Sequence, residues 1–296
     1  MIEVIPSGQA CGATITGVNL AEELDAATIG AVRTAWLEHH VLAFPDQALS
    51  DTNLEQIVQC FGVFGSEPYF LPIEGSEHVV ALTRKADEKA PLFAENWHSD
   101  WSFLAEPPIG TCLYSLVIPP VGGDTGFTNQ QQALAAMPAD LRARLEGRTA
   151  LHSAGAAYAP DGMYGAKDKA SGRSMAIRFS EEARDVYGHP FILTHPESGR
   201  ETLLGCFGYI TGVEGMADEE ALALVRELHQ WQTREEFQYT HQWQENMFVM
   251  WDNRSVLHRA YGGYDGYDRT LHRITVAGDP GKFLKLFDRS SFPLPP

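Results

Sequence analysis

The spacing of apolar residues predicts two helices in the first part of the chain. Asp25 precedes an apolar stripe with helical spacing, and Ser50 or Asp51 precedes another, so these residues are candidate N-caps. The apolar run "VLAF" between the two helices predicts a short strand that ends at Pro45. The first stripe consists of Ile29, Val32, Trp36 and Leu37.

Beyond residue 78, short runs of β-branched and aromatic residues recur between Gly, Pro, Asn and Asp. Helical patterns near 130–146 and 218–232 interrupt these runs, and Pro138 opens the second half of the first. Such a series of short strands is typical of a β-sandwich or barrel. We therefore predict a mainly β fold with flanking helices. The runs are "HVVALT", "TCLYSLVI", "FILTH", "TLLGCF", "MFVMW", "SVLHRAY" and "TLHRITVAG".

The length of 296 residues allows one large domain or two small ones. All-β barrels of this size commonly form one domain, so we expect a single domain over residues 1–296. Residues 155–190 are polar, Gly-rich and mixed in charge. A long connection of this kind in a compact domain often forms a lid or binding loop, and we expect a lid or insert there.

The overall charge argues against two classes of partner. The chain carries 22 basic and 39 acidic residues, a net charge of −17, which repels phosphate backbones and anionic membranes. We therefore expect neither nucleic acid nor a membrane as a partner. The N-terminus lacks the features of a secretory signal, and the four cysteines form no C-x-x-C pair. These features predict a cytoplasmic protein.

Residues 251–289 differ from the rest of the chain, with seven basic and five acidic residues. Chance or a pocket for small anions would explain this excess. Arg269 and Arg273 share one face of the predicted strand "RTLHRITVAG". Buried arginines are costly unless anions meet them, and a guanidinium matches the geometry of a carboxylate. The anions could also be internal, supplied by Asp265 or Asp268.

The stretch "NWHSDWSF", residues 96–103, places His98 and Asp100 two residues apart among aromatic residues. On a strand they would share one face, whereas on a helix they would not. An imidazole and a carboxylate on one face could bind a metal ion together. A second histidine would complete the 2-His-1-carboxylate triad that suits Fe(II). An isolated pair of this kind is more often a surface or hydrogen-bonded pair.

His258, in the strand-like run "SVLHRAY", is the candidate for the third ligand. His272 is the nearest competitor. Because side chains alternate along a strand, His272 lies on the face opposite Arg269 and Arg273. We therefore prefer His258.

Four motifs occur in the order W-H-x-D, G-G-D-T, W-D-N-R-x-x-x-H and R-x-x-x-R. In this combination, over nearly the whole chain, the sequence resembles the TauD/TfdA family of Fe(II)- and 2-oxoglutarate-dependent dioxygenases. The resemblance implies a double-stranded β-helix (jelly-roll, cupin-like) core. It also implies Fe(II) as cofactor, 2-oxoglutarate and O₂ as co-substrates, and a homo-oligomer, a dimer or tetramer.

The resemblance assigns roles to the residues of these motifs. His98, Asp100 and His258 would be the iron ligands. Thr125 and Arg269 would bind the distal carboxylate of 2-oxoglutarate. The implied reaction is hydroxylation of a small organic substrate, with succinate and CO₂ as co-products.

Two further residues would contact the primary substrate or lie near the iron. Arg273 would hold an acidic group of the substrate, and Trp251 would lie close to the iron. We therefore expect an anionic substrate with a carboxylate, sulfonate or sulfate. Hydroxylation beside a heteroatom would cleave a C–O or C–S bond. Glu67 and Ala94 stand where the taurine enzymes carry a histidine and an asparagine, which disfavours taurine, although Glu67 is more readily explained as a solvated loop residue.

Two alternatives remain open at this point. A non-redox metal-dependent hydrolase or isomerase on a cupin-like barrel would need the triad but not Thr125 and Arg269. A catalytically silent binding protein would keep the barrel and lose a ligand. All three apparent ligands are present, which disfavours the second alternative.

Overall fold

The computed structural model describes residues 2–278 of the 296-residue chain. Five charged residues of the basic stretch therefore lie outside the described residues, namely Asp279, Lys282, Lys285, Asp288 and Arg289. The described strands are β1 Glu3–Pro6, β2 Ala13–Thr16, β3 Val41–Phe44, β4 Val63–Phe64, β5 Val80–Arg84, β6 Gly110–Val117, β7 Thr125–Asn129, β8 Thr149–His152, β9 Tyr187–Pro190, β10 Ile192–Thr194, β11 Glu201–Leu203, β12 Ile210–Val213, β13 Gln238–His241, β14 Phe248–Asp252, β15 Val256–Ala260 and β16 Arg269–Ala277. The α-helices are α1 Ala26–His39, α2 Asp51–Gln59, α3 Gln130–Ala135, α4 Ala139–Leu145, α5 Gly155–Tyr158 and α6 Asp218–Gln232.

Two sheets packed face to face form the jelly-roll core. The larger sheet has eight strands in the order β1-β2-β3-β14-β6-β16-β4, with β5 also paired to β16. The smaller sheet has three strands in the order β13-β7-β15. One hydrophobic cluster joins their inner faces, with Leu113 and Val249 from the larger sheet and Phe127 and Val256 from the smaller one. The predicted β-sandwich is confirmed.

The outer face of the larger sheet packs against helices α1 and α2. Along β14, Phe248 and Met250 belong to this outer cluster, whereas Val249 and Trp251 belong to the inner one. This alternation is the two-residue period of a strand covered on both faces. Helices α3, α4 and α6 pack in a further apolar cluster, with members from β8, β11 and β12. No helix within residues 2–278 is long and apolar enough to cross a membrane.

The predicted helix boundaries are mostly confirmed. Asp25 caps α1 by accepting from the amide of Thr28, and Ser50 caps α2 in a capping box with Asn53. The pattern near 218–232 is α6, with the predicted bounds. The pattern near 130–146 is two helices, because Pro138 lacks an amide hydrogen and starts a new helix at its N-cap.

A strand over residues 97–103, the condition under which His98 and Asp100 would share one face, does not form over most of this length. Only His98 pairs with a neighbour, as an isolated bridge to His258, and residues 100–103 form a turn. Trp101 within this turn has a positive φ of 51°. The extended backbone is thus limited to the residues around His98.

Candidate metal site and the cavity beside it

The three candidate metal ligands lie together at one end of the sandwich. The backbone amide of His98 donates to the carbonyl of His258 at 2.9 Å, and the reverse bond is 2.8 Å. The Nε2 atoms of His98 and His258 lie 3.8 and 3.7 Å from the two carboxylate oxygens of Asp100. One ligand atom from each residue fits within 4.8 Å of the others. Two distant parts of the sequence thus meet through one β-bridge.

Both imidazoles are neutral and can offer a lone pair. Burial lowers the pKa of His98 and lowers that of His258 to about 3, in each case against the attraction of Asp100. Nδ1 of His98 lies 2.8 Å from the carbonyl oxygen of Asn96, and a carbonyl can only accept. Nδ1 of His98 therefore carries the proton, which leaves Nε2 free as a ligand.

The carboxylate of Asp100 is held at both oxygens. Burial opposes its ionisation, but the positive charge of Arg273 outweighs burial and, together with the hydrogen bond from Thr111, holds the pKa of Asp100 below its usual range. Arg273 donates from Nη1 to Oδ1 at 3.0 Å, and Thr111 donates from Oγ1 to Oδ2 at 2.6 Å. A buried set of two neutral imidazoles and one ionised carboxylate fits a divalent first-row transition metal such as Fe(II).

Beside the ligands a cavity extends to Arg269, Thr125 and Trp251. Nε of Arg269 is buried and has no hydrogen-bond partner within residues 2–278. Burial lowers the pKa of Arg269 and outweighs the opposing charge interactions with Tyr264 and Asp124. A buried cation without a bound anion is costly. The site therefore fits a ligand that brings its own carboxylate, as 2-oxoglutarate does.

Thr125 complements Arg269 in the same cavity. Its Oγ1 accepts a hydrogen bond from Nε1 of Trp243 at 2.9 Å, so its own proton remains available to a ligand oxygen. Gly122 and Gly123, which precede Thr125 in the G-G-D-T motif, allow this part of the backbone to lie close to Arg269 and Gly262. Gly123 has φ +74°, and a Cβ there would lie 3.2 Å from Nε of Arg269. A Cβ on Gly122 would lie 2.6 Å from the carbonyl of Gly262.

Arg273 is engaged by two carboxylates. Besides its bond to Asp100, it donates from Nε to Oε1 of Glu67 at 3.0 Å. Its Nη2 is buried without a hydrogen-bond partner in the described part of the chain. Burial opposes the charge, but Asp100 and Glu67 outweigh it and raise the pKa of Arg273. The guanidinium also packs over the rings of Phe70 and Trp101.

The interpretation of Glu67 as a solvated loop residue is wrong. Its side chain is only 10% exposed, and it accepts from Nε1 of Trp101 at 2.9 Å as well as from Arg273. Asp265 and Asp268, the aspartates considered as partners, form no ion pair with Arg269 or Arg273 among the described residues, and Asp268 instead binds Lys85 at 2.9 Å. The sequence offers no local signal for the contact between Glu67 and Arg273, because the two residues are 206 positions apart.

Trp251 lies beside His258, one of the candidate metal ligands. Its ring centroid is 4.7 Å from that of His258, and its Nε1 donates to Oδ1 of Asn253 at 2.9 Å. His272 lies on the opposite face, where its Nδ1 is 2.5 Å from Asp51. Sequence reasoning did not identify Thr111 or Asn253, although Asn253 is part of the W-D-N-R motif.

Residues 155–190 contribute to the cavity wall. Arg173 and Met175 from this segment line the cavity. The backbone of Ile177 forms a bridge with Phe70, which fixes the segment next to the aromatic residues around Arg273. A second cavity also reaches His98, with the aromatic side chains of Tyr158, Tyr164, Tyr209 and Phe93 among its walls.

Comparisons with known proteins identify relatives along the whole described fold. The family model described as "Taurine catabolism dioxygenase TauD, TfdA family" matches residues 3–275. An alkylsulfatase of Acinetobacter baylyi is 32% identical over 276 residues, covering 90% of this chain and 82% of the relative. An alpha-ketoglutarate-dependent sulfate ester dioxygenase of Pseudomonas putida is 30% identical over 285 residues, covering 94% and 90%.

Solved structures show the same fold. A taurine dioxygenase from Burkholderia xenovorans superimposes with a TM-score of 0.75 at 28% identity, covering 94% of this chain and 91% of that one. AAD-2 in complex with Mn(II) and N-oxalylglycine has a TM-score of 0.74 at 25% identity, covering 94% and 98%.

Proposed function

Because the chain belongs to the TauD/TfdA family of Fe(II)- and 2-oxoglutarate-dependent dioxygenases, we propose that His98, Asp100 and His258 hold its iron. The neutral imidazoles, the ionised carboxylate and their 4.8 Å grouping support this assignment. When bound, the iron couples oxidative decarboxylation of 2-oxoglutarate, to succinate and CO₂, to hydroxylation of the primary substrate. We further propose that Arg269 and Thr125 bind the distal carboxylate of 2-oxoglutarate.

The protein's own side chains orient the reactants and exclude water. Arg269 neutralises the distal carboxylate, and Thr125 donates a hydrogen bond to it. Arg273 and Thr111 fix the plane of Asp100. Because each oxygen of Asp100 accepts only one of these bonds, each keeps a lone pair for a metal ion.

The primary substrate we propose is a small organic molecule with a singly charged acidic group that faces Arg273. The observation that carries this proposal is the buried Nη2 of Arg273, which has no partner within residues 2–278 and belongs to a side chain lining the cavity. Glu67 shares the same guanidinium and repels an incoming anion, so the affinity should be modest. Taurine is disfavoured because Glu67 and Ala94 stand where the taurine enzymes carry a histidine and an asparagine. The relative named as a sulfate ester dioxygenase supports a sulfate. A further relative, from Sphingobium herbicidovorans, is named a (S)-phenoxypropionate/alpha-ketoglutarate-dioxygenase and supports a carboxylate.

The rest of the substrate we propose to be an alkyl or aryl group. The tyrosines of the second cavity, Tyr158, Tyr164 and Tyr209, would pack against it. Hydroxylation of the carbon beside an ester or ether oxygen gives a hemiacetal-like product, whose collapse cleaves the C–O bond. A C–S bond would be cleaved in the same way.

Residues 155–190 act, in this proposal, as a lid over the reacting groups, within one domain that spans residues 1–296. The proposal of a lid is supported by Arg173 and Met175, two residues of this segment that line the cavity. We also propose a cytoplasmic dimer or tetramer. The cysteines at positions 11, 60, 112 and 206 are all free, which suits a reducing compartment.

Succinate release tests the substrate class. The chain is incubated with Fe(II), 2-oxoglutarate and O₂ and with alkyl sulfates, alkylsulfonates, aryloxyalkanoates or N-substituted amino acids. We expect one anionic class to stimulate succinate release well above the substrate-free rate. The uncharged alcohol with the same carbon skeleton is the control, and equal stimulation by that alcohol would contradict the role of Arg273. Substrate conversion without 2-oxoglutarate would instead favour a metal-dependent hydrolase or isomerase.

A further inference from the structure

A series of hydrogen-bonded side chains leads from Trp251 to Asp100. Nε1 of Trp251 donates to Oδ1 of Asn253 at 2.9 Å, and Nδ2 of Asn253 donates to Oγ1 of Thr111 at 2.9 Å. Oγ1 of Thr111 then donates to Oδ2 of Asp100 at 2.6 Å. All four residues are buried, with at most 3% of any of them exposed. We call these four residues the Asp100 relay.

The chemistry of the groups fixes the direction of every bond in the Asp100 relay. An indole N–H only donates, so Asn253 must present its carbonyl oxygen to Trp251. The amide nitrogen of Asn253 then faces Thr111 and donates a hydrogen bond to its hydroxyl oxygen. The single proton of Thr111 is thus directed to Asp100. A flipped Asn253 would place two N–H groups against each other.

The turn that carries Asn253 is held by a buried ion-pair network. The carboxylate of Asp252 accepts from Nε and Nη2 of Arg254 at 2.8 and 2.7 Å, and from Nε2 of His195 at 2.9 Å. The carbonyl of Asn253 accepts from Oγ of Ser99 at 2.8 Å, and Ser99 lies between His98 and Asp100 in the chain. The W-D-N-R motif therefore fixes the backbone of Asn253 as well as its side chain.

We propose that Thr111 and Asn253 are positioning residues of the metal site, which set the orientation of the Asp100 carboxylate. The inference rests on the proposed role of Asp100 as a ligand. With Arg273 on one oxygen and Thr111 on the other, the carboxylate cannot rotate about its Cβ–Cγ bond without breaking a buried hydrogen bond. Without Thr111 the carboxylate is held on one side only.

Co(II) binding to the metal-free chain tests the inference without turnover. The visible absorption of Co(II) is followed during anaerobic titration in the absence of 2-oxoglutarate. Thr111→Val removes the hydroxyl at nearly constant volume, and we expect Co(II) to bind about 10- to 100-fold more weakly, the usual cost of losing such a partner. Thr111→Ser restores the donor and should recover most of the affinity.

Thr275 provides a matched control. It is the cross-strand register partner of Thr111, and both residues are fully buried. Its hydroxyl, however, has no hydrogen-bond partner among the described residues. Thr275→Val should leave Co(II) affinity unchanged. Equal Co(II) affinity in Thr111→Val and Thr275→Val would overturn the inference.

A double-mutant cycle distinguishes the Asp100 relay from two separate packing effects. Asn253→Ala should weaken Co(II) binding by itself, because Thr111 loses the bond that directs its proton. In the Thr111→Val background the same change should have no further effect. Fully additive losses would overturn the inference. If Thr111→Val does not fold, undiminished Co(II) affinity in Asn253→Ala would overturn it.

Co(II) binding also distinguishes a wrong ligand assignment from a wrong inference about Thr111 and Asn253. His98→Ala should abolish Co(II) binding if the ligand assignment is right. If His98→Ala binds Co(II) normally, the proposed function fails at the ligands. If only the Thr111 and Asn253 variants bind normally, the Asp100 relay fails and the ligand assignment stands.

Discussion

Replacing Arg269 with methionine should greatly weaken the binding of 2-oxoglutarate and leave the fold intact. The Nε of Arg269 is buried and has no hydrogen-bond partner within residues 2–278, and the side chain lines the cavity that also reaches His98 and His258. Methionine keeps much of the length and the apolar contacts of the side chain. Only the charge and the hydrogen-bond donors are lost.

The expected increase in the Kd of 2-oxoglutarate can be calculated from the cost of leaving its distal carboxylate unpaired. Without Arg269, the distal carboxylate of the ligand would be buried without its cation, which costs about 3–5 kcal/mol. Since about 1.4 kcal/mol corresponds to a factor of ten, the Kd of 2-oxoglutarate should rise roughly 140- to 4000-fold. The ligand-free chain should lose no stability, because burial of the unpaired Arg269 is itself unfavourable, as its lowered pKa indicates.

An anaerobic titration with Fe(II) and 2-oxoglutarate measures this Kd through the weak visible charge-transfer band of the complex. Arg259→Met is the control, because Nε of Arg259 is also buried without a partner in the described part of the chain. Its guanidinium packs over Trp97 and Tyr261, at 5.6 and 4.9 Å from their ring centroids. If the Arg269→Met chain binds 2-oxoglutarate as tightly as the Arg259→Met chain, Arg269 does not hold the distal carboxylate.

Three further predictions concern substrate charge, the metal and pH. Glu67→Gln removes a negative charge from Arg273 and should tighten binding of the anionic substrate by about tenfold or more, because two like charges within about 12 Å repel each other by about 1.4 kcal/mol or more at an effective dielectric constant of about 20. An unchanged KM would contradict this. His98→Ala should remove the charge-transfer band, and a surviving band would count against the ligand assignment. His40 and His241 are buried with their pKa values lowered to about 4, whereas the unfolded chain takes up these protons near pH 6.5. The free energy of unfolding should therefore be fully retained above pH 6.5 and fall between pH 6.5 and 4, by at most about 3 kcal/mol per histidine; flat thermal unfolding temperatures across this range would refute it.

The sequence predicts those features of this protein that depend on local spacing. Helices α1, α2 and α6 follow from an apolar stripe behind a capping residue, and the strands follow from short β-branched runs. The proximity of His98 and Asp100 is also a local property, and the two side chains lie close together although the backbone forms a bridge followed by a turn. Their proximity therefore does not depend on a strand.

Features that depend on contacts between distant residues could not be predicted in the same way. Glu67 is an ordinary acidic loop residue in the sequence, and only the fold places it against Arg273. Thr111 belongs to an apolar strand run, where nothing distinguishes its hydroxyl from that of Thr275 until their partners are known. The role of a buried polar side chain depends on its hydrogen-bond partner, and the fold determines which residue that partner is.

Arg269 and Arg273 illustrate this dependence most directly. Both point to the same face of β16, four residues apart, and by sequence either could hold an anion. Arg273 is already bound by Asp100 and Glu67, which leaves only its Nη2 without a hydrogen-bond partner within residues 2–278. Arg269 forms no salt bridge within residues 2–278, and burial lowers its pKa despite the charge interaction with Asp124. A ligand that brings a full negative charge therefore gains most at Arg269, which favours 2-oxoglutarate there and a more weakly held head group at Arg273.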